Sequence, residues 1–266
     1  MNIWTEKSIN LANSGDYLDL LFNIYPIKNN PKRELPTDIE EAILDAFENA
    51  DHIRLINALL KWEIFPIKDA YVAYLKNDSE AIIHNPQTVK RLGEAVISLG
   101  IDEVIERCTA PKETNRQMGP LFKKWIDTGE LGASIVHTGE ELLLSNENCI
   151  YNASDEAMKK FAKKYFGFTV EKGLDFIGKF NGKYVIGEAK FLTDFGGHQT
   201  AQFNDAIKTA KADVSNKIVK EDVIPIAILD GVVYMNRKQK MNKEIKKDNN
   251  LIVMSALLLK EFTMSL

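Results

Sequence analysis

Apolar residues recur at three- and four-residue spacing through most of the first 130 positions, and after residue 150 the pattern changes to short alternating runs. The first pattern predicts helix after helix. Leu35-Pro36-Thr37-Asp38 opens a run with Ile39, Ile43, Leu44, Ala46 and Phe47 on one face, and Thr37 or Asp38 ahead of Glu40 and Glu41 reads as an N-cap with acids in the first turn. Further helical stretches fall near 52–62, 68–77, 87–99 and 117–127, with prolines 26, 31, 36, 66 and 86 mostly between them. No internal repeat or low-complexity tract interrupts the series.

The second pattern predicts a helix from Ala153 to Tyr165 capped by Ser154 or Asp155, then two short strands and a helix near 198–213. A strand at Val223–Leu229, a short one at Val232–Met235, a strand at Leu251–Met254 and a last helical turn at Leu257–Phe262 complete the chain. Helix, hairpin, helix and strand in this order predict an α/β fold: a core with a mixed β-sheet flanked by helices, and a helical N-terminal portion. The expected division is 1–130 for the helical portion and 131–266 for the core.

Composition narrows the classes. The 266 residues suffice to bury a substantial core without disulfides. Cys108 and Cys149 are the only cysteines, and neither has a cysteine or histidine neighbour at zinc-ligand spacing. The N-terminal stretch lacks the basic patch and apolar core of a signal peptide, and no apolar run approaches the roughly 20 residues of a membrane helix. A soluble, cytoplasmic protein with no membrane association is expected. A net charge of −4 and a pI near 5.7 argue against coating nucleic acid indiscriminately. A local basic cleft is still compatible, because positive charge clusters at Lys123 and Lys124, at Lys159, Lys160, Lys163 and Lys164, and at Arg237, Lys238, Lys240, Lys243, Lys246 and Lys247. Taken alone, each cluster reads first as a solvated helix face or loop.

The candidate chemistry lies in residues 172–191. Asn181-Gly182 between two alternating runs is a strong hairpin signal, since both central positions of a type I′ turn need positive φ. A two-residue loop pairs Phe180 with Lys183, Lys179 with Tyr184 and Ile177 with Ile186, and so sets Asp175 opposite Glu188. Opposed like charges about 5 Å apart destabilise a sheet unless compensated. A hard divalent cation such as Mg2+ fits two carboxylates and keeps positions for water and a phosphate oxygen. Lys190, two residues beyond Glu188, shares its face. The grouping suits phosphodiester hydrolysis, with Asp175, Glu188 and the backbone carbonyl of Ala189 holding the ion and Lys190 orienting or deprotonating the attacking water and countering charge. Glu-x-Lys occurs twice, and the second copy, Glu244-Ile245-Lys246, has neither a strand pattern nor a paired Asp. The competing interpretation is an ordinary charged hairpin.

Asp175 followed by Glu188-Ala189-Lys190 on the next strand resembles the PD-(D/E)XK nuclease signature, to which most type II restriction endonucleases belong. Leu174 stands where that signature often has proline. The resemblance covers about residues 150–266. It implies a restriction-endonuclease-like core and a type II restriction endonuclease that hydrolyses double-stranded DNA with Mg2+, or Mn2+ as a substitute. It further implies 5′-phosphate ends, a homodimer reading a palindrome, and a cognate DNA methyltransferase as functional partner. In related nucleases a helix ahead of the aspartate strand supplies a further carboxylate; Glu156, or else Asp155, is the candidate, against a plain helix-start role.

On this resemblance the helical portion, 1–130, is expected to contact DNA, to dimerise or to do both, and two segments are candidates for DNA contact. The diglycine loop after Lys190 leads into a helix whose first turns carry His198, Gln199 and Gln202, residues able to meet phosphate or adenine edges or simply to cap the helix. Residues 111–125 carry Asn115, Arg116, Gln117, Lys123 and Lys124, with Phe122 and Trp125 as expected core. The rival functions are a structure-specific repair or recombination nuclease of the same fold and a non-catalytic nucleic-acid-binding module. The lack of a GxxxxGK[ST] motif favours a stand-alone restriction enzyme over the first, and the intact carboxylate pair argues against the second.

Overall fold

The alternating runs on either side of Asn181-Gly182 form the hairpin at the middle of the sheet. Asn181 and Gly182 take φ of 49° and 78°, as a type I′ turn requires. The strands are β1 (Ser134–Val136), β2 (Cys149–Tyr151), β3 (Phe176–Phe180), β4 (Lys183–Leu192), β5 (Val223–Gly231) and β6 (Val253–Met254). They lie in the order β1-β2-β3-β4-β5-β6 in one six-stranded sheet. Pairs β1–β2, β4–β5 and β5–β6 are parallel, while β3 runs antiparallel to both neighbours. The expected register holds: Phe180 faces Lys183, Lys179 faces Tyr184 and Ile177 faces Ile186.

The computed structural model describes residues 1–27, 31–78, 80–111, 116–171, 173–235 and 240–266. The chain forms two compact units, one of residues 1–27 and 113–266, the other of residues 28–112. In the sheet unit the helices are α1 (Ile3–Ala12), α2 (Tyr17–Ile24), α9 (Met118–Ile126), α10 (Gly139–Leu144), α11 (Asp155–Phe166), α12 (Gly197–Ala210), α13 (Lys240–Lys247) and α14 (Leu259–Met264). The other unit is helical, with α3 (Thr37–Glu48), α4 (His52–Leu60), α5 (Val72–Asn77), α6 (Ala81–His84), α7 (Pro86–Ile97) and α8 (Ile101–Cys108) around a core of its own that includes Ile43, Leu55, Leu59, Leu92, Val96 and Val104. Among the described residues no helix is long and apolar enough to cross a membrane.

Period-two alternation divides the hairpin between two cores. Phe176, Phe180, Val185 and Ala189 join a cluster that also holds Met118, Phe122 and Ile126 of α9. Ile177, Tyr184 and Ile186 join another with Met158, Phe161 and Phe166 of α11. Helix α11 starts where its chemistry dictates: the Ser154 side chain accepts from the Ala157 amide, and Gly167 ends the helix at a φ of 67°.

The units do not divide at residue 130, the boundary that the change of pattern suggested. Residues 1–27 belong with the sheet because a buried polar centre ties them there. Asp230, at the end of β5, is fully buried and accepts from the Tyr17 hydroxyl (3.1 Å), the Tyr25 hydroxyl (2.8 Å) and Ser255 Oγ (2.5 Å). Thr5 Oγ1 donates to the Val253 carbonyl at 2.9 Å, and Ser8 Oγ accepts from the Ser255 amide. Unpaired, these groups would each be costly to bury.

A second correction concerns Val232–Met235. This apolar run is not a strand; Val232–Tyr234 is a 3-10 turn. Gly231 takes a φ of 86° with its α-carbon against the Leu192 carbonyl, so any side chain there would collide, and the Tyr234 hydroxyl donates back to Leu229 at 2.9 Å. The chain turns off the sheet at that glycine. Strands β1 and β2 and helix α10 were not anticipated, because three-residue strands are too short to show a period.

Candidate active site

Glu188 and Lys190 lie on β4 with side chains on one face, and Asp175 immediately precedes β3. The Asp175 amide donates to the Gly187 carbonyl at 3.0 Å, continuing the hairpin pairing past Phe176 and setting Asp175 beside Glu188. Asp175 Oδ2 accepts from the Ala189 amide and from Lys190 Nζ, both at 3.0 Å. The same ammonium lies 2.9 Å from Glu188 Oε1 and donates to the Ala189 carbonyl at 3.1 Å. Side-chain exposure is 15% for Asp175, 5% for Glu188 and 24% for Lys190. Three oxygens, two from β4 and one from the residue ahead of β3, therefore converge on one cationic nitrogen in a largely dry setting.

The electrostatics follow from that burial. Desolvation raises the Glu188 pKa, against the opposing pull of Lys190. For Lys190 burial favours the neutral amine, but the charges of Asp175 and Glu188 and the bonds to both outweigh it and hold the pKa above the usual lysine value. Glu188 Oε2, on the side away from the lysine, accepts from Thr209 Oγ1 of α12 at 3.1 Å. Sequence reasoning missed Thr209, since nothing local connects a helix threonine to a glutamate 21 residues earlier on a strand.

Whether this set suits a divalent ion can be judged from its donors. Asp175 Oδ2, Glu188 Oε1 and the Ala189 carbonyl are hard oxygens already gathered around a positive charge, the donor type that magnesium takes. Among the described residues no three His, Cys, Asp or Glu side chains gather as a metal site. Glu156 is not part of the cluster: it is exposed on α11, 3.7 Å from Lys160. Asp155 is paired instead with Lys123.

The other expected contact residues are dispersed. Lys123 and Asp175 line the same small depression, together with Asn152 and Met158. Lys124 is exposed on α9; Arg116 is exposed and Gln117 half-buried just ahead of it. Asn115 lies outside the described residues, as do Arg237 and Lys238. On α12 Gln199 is buried, its amide donating to Thr193 Oγ1 at 3.2 Å and accepting from the Thr193 amide at 3.3 Å. It anchors the loop from β4 into the helix. His198 and Gln202 touch each other at 3.1 Å on the exposed side. Of the basic cluster on α11, Lys159 and Lys163 are engaged by Glu171.

A family model for the Tsp45I type II restriction enzyme matches residues 2–266. The chain belongs to that family. As a type II restriction enzyme of the Tsp45I family it is a site-specific deoxyribonuclease, a hydrolase whose substrate is DNA. Its mixed sheet flanked by helices is compatible with a restriction-endonuclease-like core. Type II restriction enzymes generally use divalent metal ions. No curated protein and no solved structure matches the chain.

Proposed function

We propose that this restriction enzyme cuts at the centre formed by Asp175, Glu188 and Lys190, on a hairpin of the PD-(D/E)XK type. The observation that carries this reading is the convergence of Asp175 Oδ2, Glu188 Oε1 and the Ala189 carbonyl on the Lys190 ammonium. Asp175, Glu188 and the Ala189 carbonyl would hold Mg2+, with Mn2+ as a substitute. Such an ion, when bound, would supply positive charge against the phosphoryl oxygens and lower the pKa of water. Lys190, held as an ammonium by Asp175 and Glu188, would orient the attacking water and offset the charge that builds on the phosphorus oxygens. Burial of Glu188 keeps competing water away from its carboxylate.

Lys123, beside Asp175, meets a phosphate of the bound strand, and the exposed pair His198 and Gln202 reaches toward base edges or backbone near the start of α12. Arg116, Gln117 and Lys124 at α9, with the adjoining Asn115, form a second contact segment. Gln199 supports the loop and reads no base, because both ends of its amide are engaged inside. The helical unit carries the chain's excess of acid, a formal net charge of −4, while the sheet unit is balanced. We therefore assign phosphate contact to the sheet unit and dimerisation to the helical unit. The enzyme acts as a cytoplasmic homodimer on a palindrome, leaves 5′-phosphates, and works alongside a cognate methyltransferase that protects host DNA.

The test is digestion of unmethylated phage DNA by wild type and Lys190→Ala, with Mg2+ and with EDTA. Discrete fragments from wild type with Mg2+ alone are expected. Fragments from Lys190→Ala at the wild-type rate would sink the assignment of the centre.

A further inference from the structure

Glu188 is held from two directions by groups of different character. Oε1 faces the Lys190 ammonium at 2.9 Å, and Oε2 accepts from Thr209 Oγ1 at 3.1 Å. Thr209 is fully buried in the next-to-last position of α12, a helix packed along β4 and β5. A helix threonine commonly donates to the carbonyl four residues back. Here the hydroxyl donates across to the strand instead.

The two contacts respond differently to a second cation. Lys190 Nζ stands at the focus of the same three oxygens that would bind a divalent ion, and two positive charges do not share one focus without strong repulsion. The lysine's hold on Glu188 therefore weakens when an ion enters. The threonine carries no charge, and its helix is fixed by core packing through Phe203, Ala206 and Ile207. Its hold persists.

We propose that Thr209 is a positioning residue that locks the Glu188 carboxylate so that Oε1 stays directed at the metal position after Lys190 has given way. This rests on the assignment of Glu188 as a metal ligand. Partners of this kind orient the groups that bind the ion directly, and losing one typically costs about 10–100-fold in metal affinity or activity.

Thr209→Val keeps the shape and removes the hydroxyl, whereas Thr209→Ser keeps the hydroxyl and removes the methyl group. Mn2+ titrated into the full chain without DNA, followed by electron paramagnetic resonance, reads binding directly. Thermal melting in EDTA reads packing. The expected result is Mn2+ affinity lower by about 10–100-fold in Thr209→Val and near wild type in Thr209→Ser, with the Mn2+ requirement for DNA cleavage shifted in parallel and the DNA KM unchanged. Equal Mn2+ affinity in wild type and Thr209→Val overturns the proposal while leaving the centre intact. A defect that is worse in Thr209→Ser than in Thr209→Val, tracking the melting temperature, overturns it in favour of packing. A wild type that binds no Mn2+ removes the assignment of Glu188 and this inference with it. Should Thr209→Val not fold, Thr209→Ala against Thr209→Ser makes the same hydroxyl comparison.

Discussion

Lys190→Met removes the ammonium shared by Asp175 and Glu188 and keeps an unbranched stem of similar reach. Its contacts at 2.9 and 3.0 Å are each worth about 5–6 kcal/mol of gross attraction at an effective dielectric of about 20. Desolvation of the three groups offsets much of that sum, so the useful figure is the cost of breaking a buried pair from one side, on the order of 3–5 kcal/mol. Protonation sets a ceiling. Neutralising a carboxyl of ordinary pKa near 4.3 costs about 4 kcal/mol at pH 7, and Glu188, already raised by burial, takes that route. The variant should therefore lose about 3 kcal/mol of unfolding free energy at pH 7 in EDTA. Its carboxyl pKa lies above the unfolded value, so stability is kept below about pH 4 and lost as pH rises, and the deficit against wild type grows from pH 4 to 7. A divalent ion should restore more stability to the variant than to wild type, where it must displace the lysine; saturation at 100 times Kd is worth about 2.7 kcal/mol. Guanidinium denaturation at pH 4.5 and 7, with Mg2+ and with EDTA, measures both effects. Equal stability of the two proteins at pH 7 in EDTA, or no gain from Mg2+ in the variant, would refute the reasoning.

Burial and the Asp230 charge raise the pKa of Tyr17, Tyr25 and Tyr234 in the fold, while in the unfolded chain each ionises near about 10. Stability should fall above that pH by about 1.4 kcal/mol per pH unit for each tyrosine, and Tyr25→Phe should make the slope shallower by about that amount; an unchanged slope in denaturation from pH 9 to 11.5 counts against the buried cluster. Gly182→Ala meets no neighbour, so only the φ of 78° penalises it, and a loss of about 1–2 kcal/mol with the cleavage sites unchanged is expected from denaturation and digestion. Gln199→Ala should lower stability by about 1–3 kcal/mol, the loss of two hydrogen bonds to Thr193 at about 0.5–1.5 kcal/mol each. Gln202→Ala, in contrast, should leave melting unchanged and weaken or relax cleavage of the cognate site, and the reverse outcome would exchange their roles.

The hairpin and the grouping of side chains on it were legible in the sequence because they are local. Asn181-Gly182 forces the turn, the turn sets the register, and the register together with period two brings Asp175, Glu188 and Lys190 to one face. The helix from Ser154 and the helix after the diglycine loop were legible for the same reason, through a cap and a 3.6-residue period. Tertiary structure decided whatever joins distant segments. The return of residues 1–27 to the sheet depends on Asp230 meeting Tyr17 and Tyr25 more than 200 residues away, which no window of sequence contains. The inward turn of Gln199, the exclusion of Glu156 and the hydroxyl of Thr209 on Glu188 depend on how α11 and α12 rotate against the sheet, and packing sets that rotation. Periodicity tells which face of an element is apolar, whereas the partner that a polar side chain meets across the core depends on long-range packing.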